Sequence, residues 1–239
     1  MRIKVYENAE KLYGAAAETV AKLVRNEIER HSEFSSTEPE INVCLSADNT
    51  NIGVLGELVS EDVSWKNVKL YSSWEFLNEN SVSDISRRKK IDKALISKLT
   101  TFDRDKNGGF FDGQLTAESV KSVNAGLKKG FDVLCLEVMP YGSLLMNLPL
   151  TDSYDCREIY RESEDILGSA VATVSPYGVL KSKHLVLAAS GYKTAQWVAY
   201  MLKCEFSTKC PAAIVKEHGD FILLLDKEAA SCVPQCYLG

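Results

Sequence analysis

No apolar run in this 239-residue chain approaches the ~20 residues that a membrane helix needs, so a helical span is excluded as its organising feature. Basic charge is also in short supply. A net charge of −5 and a pI near 5.4 leave no excess to neutralise a phosphate backbone, and nucleic acid is not an expected partner. Charges interrupt the amino-terminal MRIKVYENAEKL, which therefore does not read as a signal peptide. Internal repeats, low-complexity tracts and a dividing linker are missing, so one domain over 1–239 is expected. Cysteine is not scarce: there are seven, an odd number, most of them inside apolar stretches. That usage reads as reduced thiols in the cytoplasm. Cys232 and Cys236 could pair or hold a metal, but no histidine and no second close pair stand near them, so no metal site is expected.

What is present suits one large α/β core, with 45% hydrophobic and 26% charged residues. Short apolar runs at 3–6, 41–45, 68–72, 133–136, 170–174, 184–189, 212–215 and 221–225 read as strands. Between them lie stretches of helical period. Asn8 is placed to cap the first, whose apolar face takes in Leu12, Ala16, Val20, Leu23, Val24 and Ile28. Others are expected at 52–59, from Ser83 or Asp84 through Leu99, at 116–129, and from Ser190 through Leu202. The alternation predicts an α/β fold: a doubly wound, mostly parallel, Rossmann-like sheet with helices on both faces. The run Arg87-Arg88-Lys89-Lys90 reads as a solvated helix face, His31 and His218 as solvated, and His184 as structural. Residues 103–108 begin like a calcium loop, but Gln114 stands where a bidentate Glu is wanted, and a turn is expected.

The stretch 131–149, FDVLCLEVMPYGSLLMNLP, carries the most information. A buried parallel strand ends there in Glu137, Pro140, Tyr141, Gly142 and Ser143, and in open α/β sheets ligands bind at that end of the strands. The stretch resembles the active-site strand and loop of the glucosamine-6-phosphate isomerase (deaminase) and 6-phosphogluconolactonase family. Gly142, Asn147 and Pro149 fall on that family's Gly, Asn and Pro, whereas Tyr141, Ser143 and Leu148 replace its Asp, His and Glu, and Glu137 stands at a glycine. The resemblance continues over nearly the whole chain. Residues 45–53, LSADNTNIG, are similar to a loop that holds the sugar phosphate at a helix start; Thr50 and Gly53 match, and Asp48 and Asn49 replace two glycines. In 70–76, LYSSWEF, Glu75 and Phe76 match in type and Trp74 replaces the Asp that moves the proton between sugar carbons. Lys193 coincides with the lysine that reaches the phosphate, and 173–180 resembles a further family segment.

The resemblance implies carbohydrate, specifically amino-sugar, metabolism: isomerisation and deamination of a phosphosugar, or hydrolysis of a phosphorylated lactone, without an organic cofactor. It implies Thr50, Asn49 and Lys193 as phosphate-binding residues, in a pocket with Ser46, Asp48, Trp74, Tyr141, Gly142 and Ser143. Both reactions rest on an Asp or His moving protons, contributions of about 100- to 10,000-fold each. Those groups are substituted here, so a pseudoenzyme that still binds a sugar phosphate is the leading expectation. Two alternatives stay open: an enzyme of altered chemistry using Glu75 and Glu137, and a non-catalytic structural or regulatory subunit. Asp48 and Glu137 bring negative charge to the pocket, which favours a neutral or cationic ligand, or a pocket filled by Trp74, Tyr141 and Glu137. Trp74 is placed to stack on a sugar or to fill the space. Many isomerases of the family are oligomers, so a homo-oligomer is compatible with the resemblance.

Overall fold

The computed structural model describes residues 1–35, 37–107, 114–151 and 156–238. Arg2–Tyr6 (β1) leads to Asn8, whose side chain accepts the Lys11 amide at 3.0 Å and starts Ala9–Phe34 (α1). Ile41–Leu45 (β2), Asn49–Leu58 (α2), Val68–Ser72 (β3) and Trp74–Phe76 (β4) follow, then Arg87–Ala94 (α3), Arg104–Asn107 (α4) and Ala117–Gly126 (α5). The second half runs Val133–Glu137 (β5), Tyr160–Glu164 (β6), Ala170–Val174 (β7), Pro176–Lys181 (α6), His184–Ala189 (β8), Tyr192–Lys203 (α7), Phe221–Asp226 (β9) and Lys227–Ala230 (α8).

Six strands form a parallel sheet in the order β1-β9-β8-β5-β2-β3. From β2 the chain steps outward to β3, returns past β2 to β5, and continues the other way through β8 and β9. The winding therefore reverses between β2 and β5, which opens a crevice at their carboxyl ends, the usual ligand position in such sheets. Apolar side chains cover both faces. Leu12, Val20, Leu55 and Ile91 from α1, α2 and α3 pack on one, and Val198 and Leu202 of α7 with Val120 of α5 on the other. That double burial explains why β5 and β9 carry almost unbroken apolar runs. A small antiparallel sheet, β4-β7-β6, lies beside the second face.

Several local expectations change. β4 is three residues long, too short to show a period. The apolar run 212–215 lies in a 3-10 helix, Pro211–Glu217, because Pro211 has no N–H to give a ladder and suits a helix start. Ser175 caps α6 by accepting the Gly178 amide at 2.9 Å, so 175–178 opens a helix rather than making a turn. α2 begins earlier than expected, at Asn49; α5 stops at Gly126; α3 starts only at Arg87, leaving Ile85 exposed. His218 is buried, its Nε2 2.8 Å from the Ser182 carbonyl, rather than solvated. Gly108 of the calcium-like stretch and 152–155 of the polar segment lie outside the described residues.

Gly53 has a packing reason: a Cβ there would stand 2.5 Å from the Tyr13 ring, where α1 and α2 approach closely. Gly53→Ala is expected to lower stability by about 1–3 kcal/mol through overpacking, read as a drop in thermal midpoint. At the amino ends of the strands, His184 sits between Asp220 (Nδ1 to Oδ2, 2.5 Å) and Glu27 (Nε2 to Oε1, 3.2 Å), and Lys183 bridges Glu27 and Asp132. His184 thus ties α1 to the sheet at the end opposite the crevice.

Candidate functional site

The crevice is occupied by the chain itself. Glu137, the last residue of β5, is buried, and its carboxyl group reaches the start of α2. Oε1 accepts the Asp48 amide at 3.0 Å and Oε2 accepts the Thr50 amide at 3.3 Å. Free amides at a helix start attract anions because they have no partner in the helix and sit at its positive end. Here Glu137 supplies the oxygens. Burial, with Asp48 close by, pushes its pKa up to about 8, against the pull of the two amides and Arg87. The start of α7 is closed in the same way. Thr50 Oγ1 accepts the Ser190 amide at 3.2 Å, and Asp226 accepts the Gly191 amide at 3.0 Å while capping α8 through the Ala229 amide.

Asp48 is engaged within the chain by both carboxylate oxygens. Its Oδ1 meets Arg87 Nε at 2.7 Å and its Oδ2 accepts Trp74 Nε1–H at 2.9 Å, while the guanidinium carbon lies 4.0 Å from the Trp74 ring centroid. Trp74 is buried beneath this pair and does not offer a stacking face to solvent. Arg87 and Arg88 correct the reading of a solvated basic face. Arg88 is 3% exposed, and its Nε lies 3.4 Å from Glu75 Oε2. Glu75, 0% exposed, also accepts Ser86 Oγ–H at 2.7 Å and the amides of Phe76, Arg87 and Arg88 at 2.8, 3.2 and 2.7 Å. It anchors the start of α3 and does not pair with Glu137, whose partners are a separate set. Sequence spacing carries no sign of this, because β4 and α3 meet only through the tertiary fold.

Beside the plugged crevice lies a groove of about 610 Å³. Trp74, Tyr141, Ser143 and Leu148, the four substituted positions, all line it. Ser46, Asp48, Asn49, Thr50 and Lys193, expected in one pocket with them, do not. Ser46 is buried against Ser73 (Oγ to Oγ, 2.8 Å); Asn49 and Lys193 are exposed at the starts of α2 and α7, and Lys193 has no ion pair among the described residues. Tyr141 does not fill the pocket: it is 71% exposed, has φ +59°, and its ring lies 4.7 Å from that of Trp197. The turn needs Gly142, at φ +75°, since a Cβ there would meet the Tyr200 ring at 2.7 Å. Asn147 is buried; its Nδ2 donates to the Leu144 and Val174 carbonyls at 2.7 and 2.8 Å, and its Oδ1 accepts from Arg161 at 3.1 Å. Asn147→Ala is expected to cost about 1–3 kcal/mol, because it takes a buried donor from the Leu144 and Val174 carbonyls and an acceptor from Arg161, and chemical denaturation will show it. Cys232 and Cys236 are exposed free thiols.

No family model matches the chain. It is 25% identical to the glucosamine-6-phosphate deaminase of Clostridium perfringens (strain ATCC 13124) over 96% of this chain and 98% of the relative. The corresponding figures for the Colwellia psychrerythraea (strain 34H) deaminase are 25%, 97% and 90%. A Thermoanaerobacter sp. (strain X514) deaminase is 32% identical over 78 residues, so that match spans only 30% of the relative and 33% of this chain. Among solved structures, a monomeric glucosamine-6-phosphate deaminase superposes with a TM-score of 0.80 at 19% identity, covering 97% of this chain and all of the other. The 6-phosphogluconolactonase of Trypanosoma brucei does so at 0.75 and 13% identity, covering 98% of each chain. The chain is thus similar along nearly its whole length to glucosamine-6-phosphate deaminases, on a fold that deaminases and 6-phosphogluconolactonases have in common.

Proposed function

We propose that this chain is a non-catalytic member of its family, one that has given up sugar-phosphate turnover and keeps the fold as a binding scaffold. The observation that carries this reading is the Glu137 carboxyl group on the Asp48 and Thr50 amides. An incoming phosphate would have to displace a side chain that already satisfies those donors. The groove adds a second support. Where the resemblance implies a carboxylate base and an imidazole, Trp74, Tyr141, Ser143 and Leu148 offer an indole, hydroxyls and an aliphatic chain. A serine hydroxyl needs a neighbouring base to become a nucleophile, and no His, Asp or Glu hydrogen bond to Ser143 is among those described.

The test is direct. Turnover of glucosamine 6-phosphate and of 6-phosphogluconolactone is expected to stay at the uncatalysed background, and calorimetry is expected to show no uptake of the sugar phosphate at millimolar concentration. Glu137→Gly bares both amides, and that variant is expected to gain measurable phosphosugar binding. Ordinary turnover by the unaltered chain, on the order of 1–1,000 per second, would overturn the proposal. So would wild-type binding that vanishes in Lys193→Ala.

A further inference from the structure

The groove beside the plugged crevice is lined mainly by apolar side chains. Its floor is Trp74, Leu145 and Met146, all buried. Its rim includes Ile166 and Leu167, 83% and 85% exposed at the tip between β6 and β7, and Ile85 from the loop before α3. Among the described residues that line it, only Arg87 and Asp165 are charged, and each is answered within the chain. Arg87 is held by Asp48 at 2.7 Å, and Asp165 Oδ1 accepts the Leu167 and Ser169 amides at 2.9 and 2.8 Å. A charged ligand would lose its hydration here without finding a free counter-ion. A neutral apolar one gains about 25 cal/mol for each Å² it removes from water, and Met139 and Met146 have the flexibility to fit its shape. The volume also lies within the ~300–1,000 Å³ typical of small-molecule sites.

We infer that this groove binds a small, uncharged, predominantly apolar molecule, with Ser143 as its polar contact. The inference rests on the non-catalytic reading in one respect: it takes the four substituted positions as a binding wall rather than a ruined reaction centre. The occupant is charge-matched to a site with no free charge, which argues against a sugar phosphate and for an aliphatic or aromatic compound. The exposed rim residues are then the surface that such a ligand covers.

The uncharged dye N-phenyl-1-naphthylamine, titrated into the full chain and followed by fluorescence, is the probe. Saturable uptake of one dye per chain is expected, undisturbed by millimolar glucosamine 6-phosphate. Leu148→Glu and Ile166→Asp each place a carboxylate at the groove, and each is expected to weaken uptake about tenfold or more by desolvation of the new charge. Ile166 is so exposed that the second variant will fold. Phe34→Asp, on an equally exposed residue at the end of α1, is expected to change nothing. Absence of saturable uptake, or uptake indifferent to both groove substitutions, overturns the inference and leaves the non-catalytic reading standing. So does a concentration-dependent dimer that excludes the dye and is abolished by Ile166→Asp. Displacement of bound dye by glucosamine 6-phosphate overturns the uncharged occupant together with the expectation that the chain takes up no sugar phosphate, whereas turnover of that compound alone overturns the non-catalytic reading, which separates the two failures.

Discussion

Glu75→Ala is expected to lower folding stability by about 3–5 kcal/mol, the range for breaking a buried ion pair from one side. The change removes the one acceptor for four nearby donors: the Ser86 hydroxyl and the amides of Phe76, Arg87 and Arg88. It also leaves the Arg88 guanidinium buried beside an empty space, with its Nη2–H to the Ser81 carbonyl, at 3.0 Å, as a remaining neutral contact. Glu75→Gln keeps the shape but gives up the charge that Arg88 faces and turns one acceptor into a donor, so it should lose part of the same amount. A double change to apolar residues of similar size, Glu75→Leu with Arg88→Met, should recover much of the loss, because the desolvation cost of both charges goes with them. Urea denaturation of the wild type and the three variants measures all of this. A loss below about 1 kcal/mol in Glu75→Ala would mean that this carboxylate is not the anchor of α3, and an acid–base role for it would then be open again.

Glu137→Gln is expected to flatten the fall of stability with rising pH, and to make the chain more stable than the wild type above pH 8. Burial, reinforced by Asp48, pushes the folded-state pKa of Glu137 from its ordinary 4.5 up to about 8. Between those values the native chain holds a proton that the unfolded chain has released. Stability therefore falls as pH rises through that window, with a slope of about 1.4 kcal/mol per pH unit. The substituted side chain stays neutral at every pH, and its amide oxygen still accepts from the start of α2, so the variant loses the titration and keeps a hydrogen bond. Glu27 and Asp220 act in the opposite direction. Their pKa values are lowered by hydrogen bonds from Lys183, Arg30 and His184, and from His184 and Arg2, against the cost of burial. They contribute stability that is lost as pH falls into the acid range. The difference between wild type and Glu137→Gln isolates the one group, and parallel curves from pH 5 to 8 would contradict its raised pKa.

These two carboxylates look alike in the sequence, where each ends or lies in a short strand beside the crevice. The structure gives them different work. Glu75 is fully ringed by donors and fixes α3 over β4. Glu137 stands at the reversal of the winding, where the resemblance implies a glycine, and it accepts the Asp48 and Thr50 amides at the start of α2.

Local order determined a good part of the answer. The strands at 41–45, 68–72, 170–174 and 184–189 were legible because a buried parallel strand is a short apolar run with turn residues at its ends, a pattern contained in neighbouring positions. The departures from the resembled motifs at Trp74, Tyr141, Ser143 and Leu148 were legible because they are a matter of residue identity. The destinations of charged side chains were not. Glu137 meets amides 89 and 87 positions away, Asp48 meets Trp74 26 positions away, and Arg88 is buried against a strand rather than solvated. Periodicity places a side chain on a face of its own element and says nothing about which donor from another element waits there. Only the packing of β5 against the start of α2 could decide that the amides there are taken by the chain's own carboxyl group.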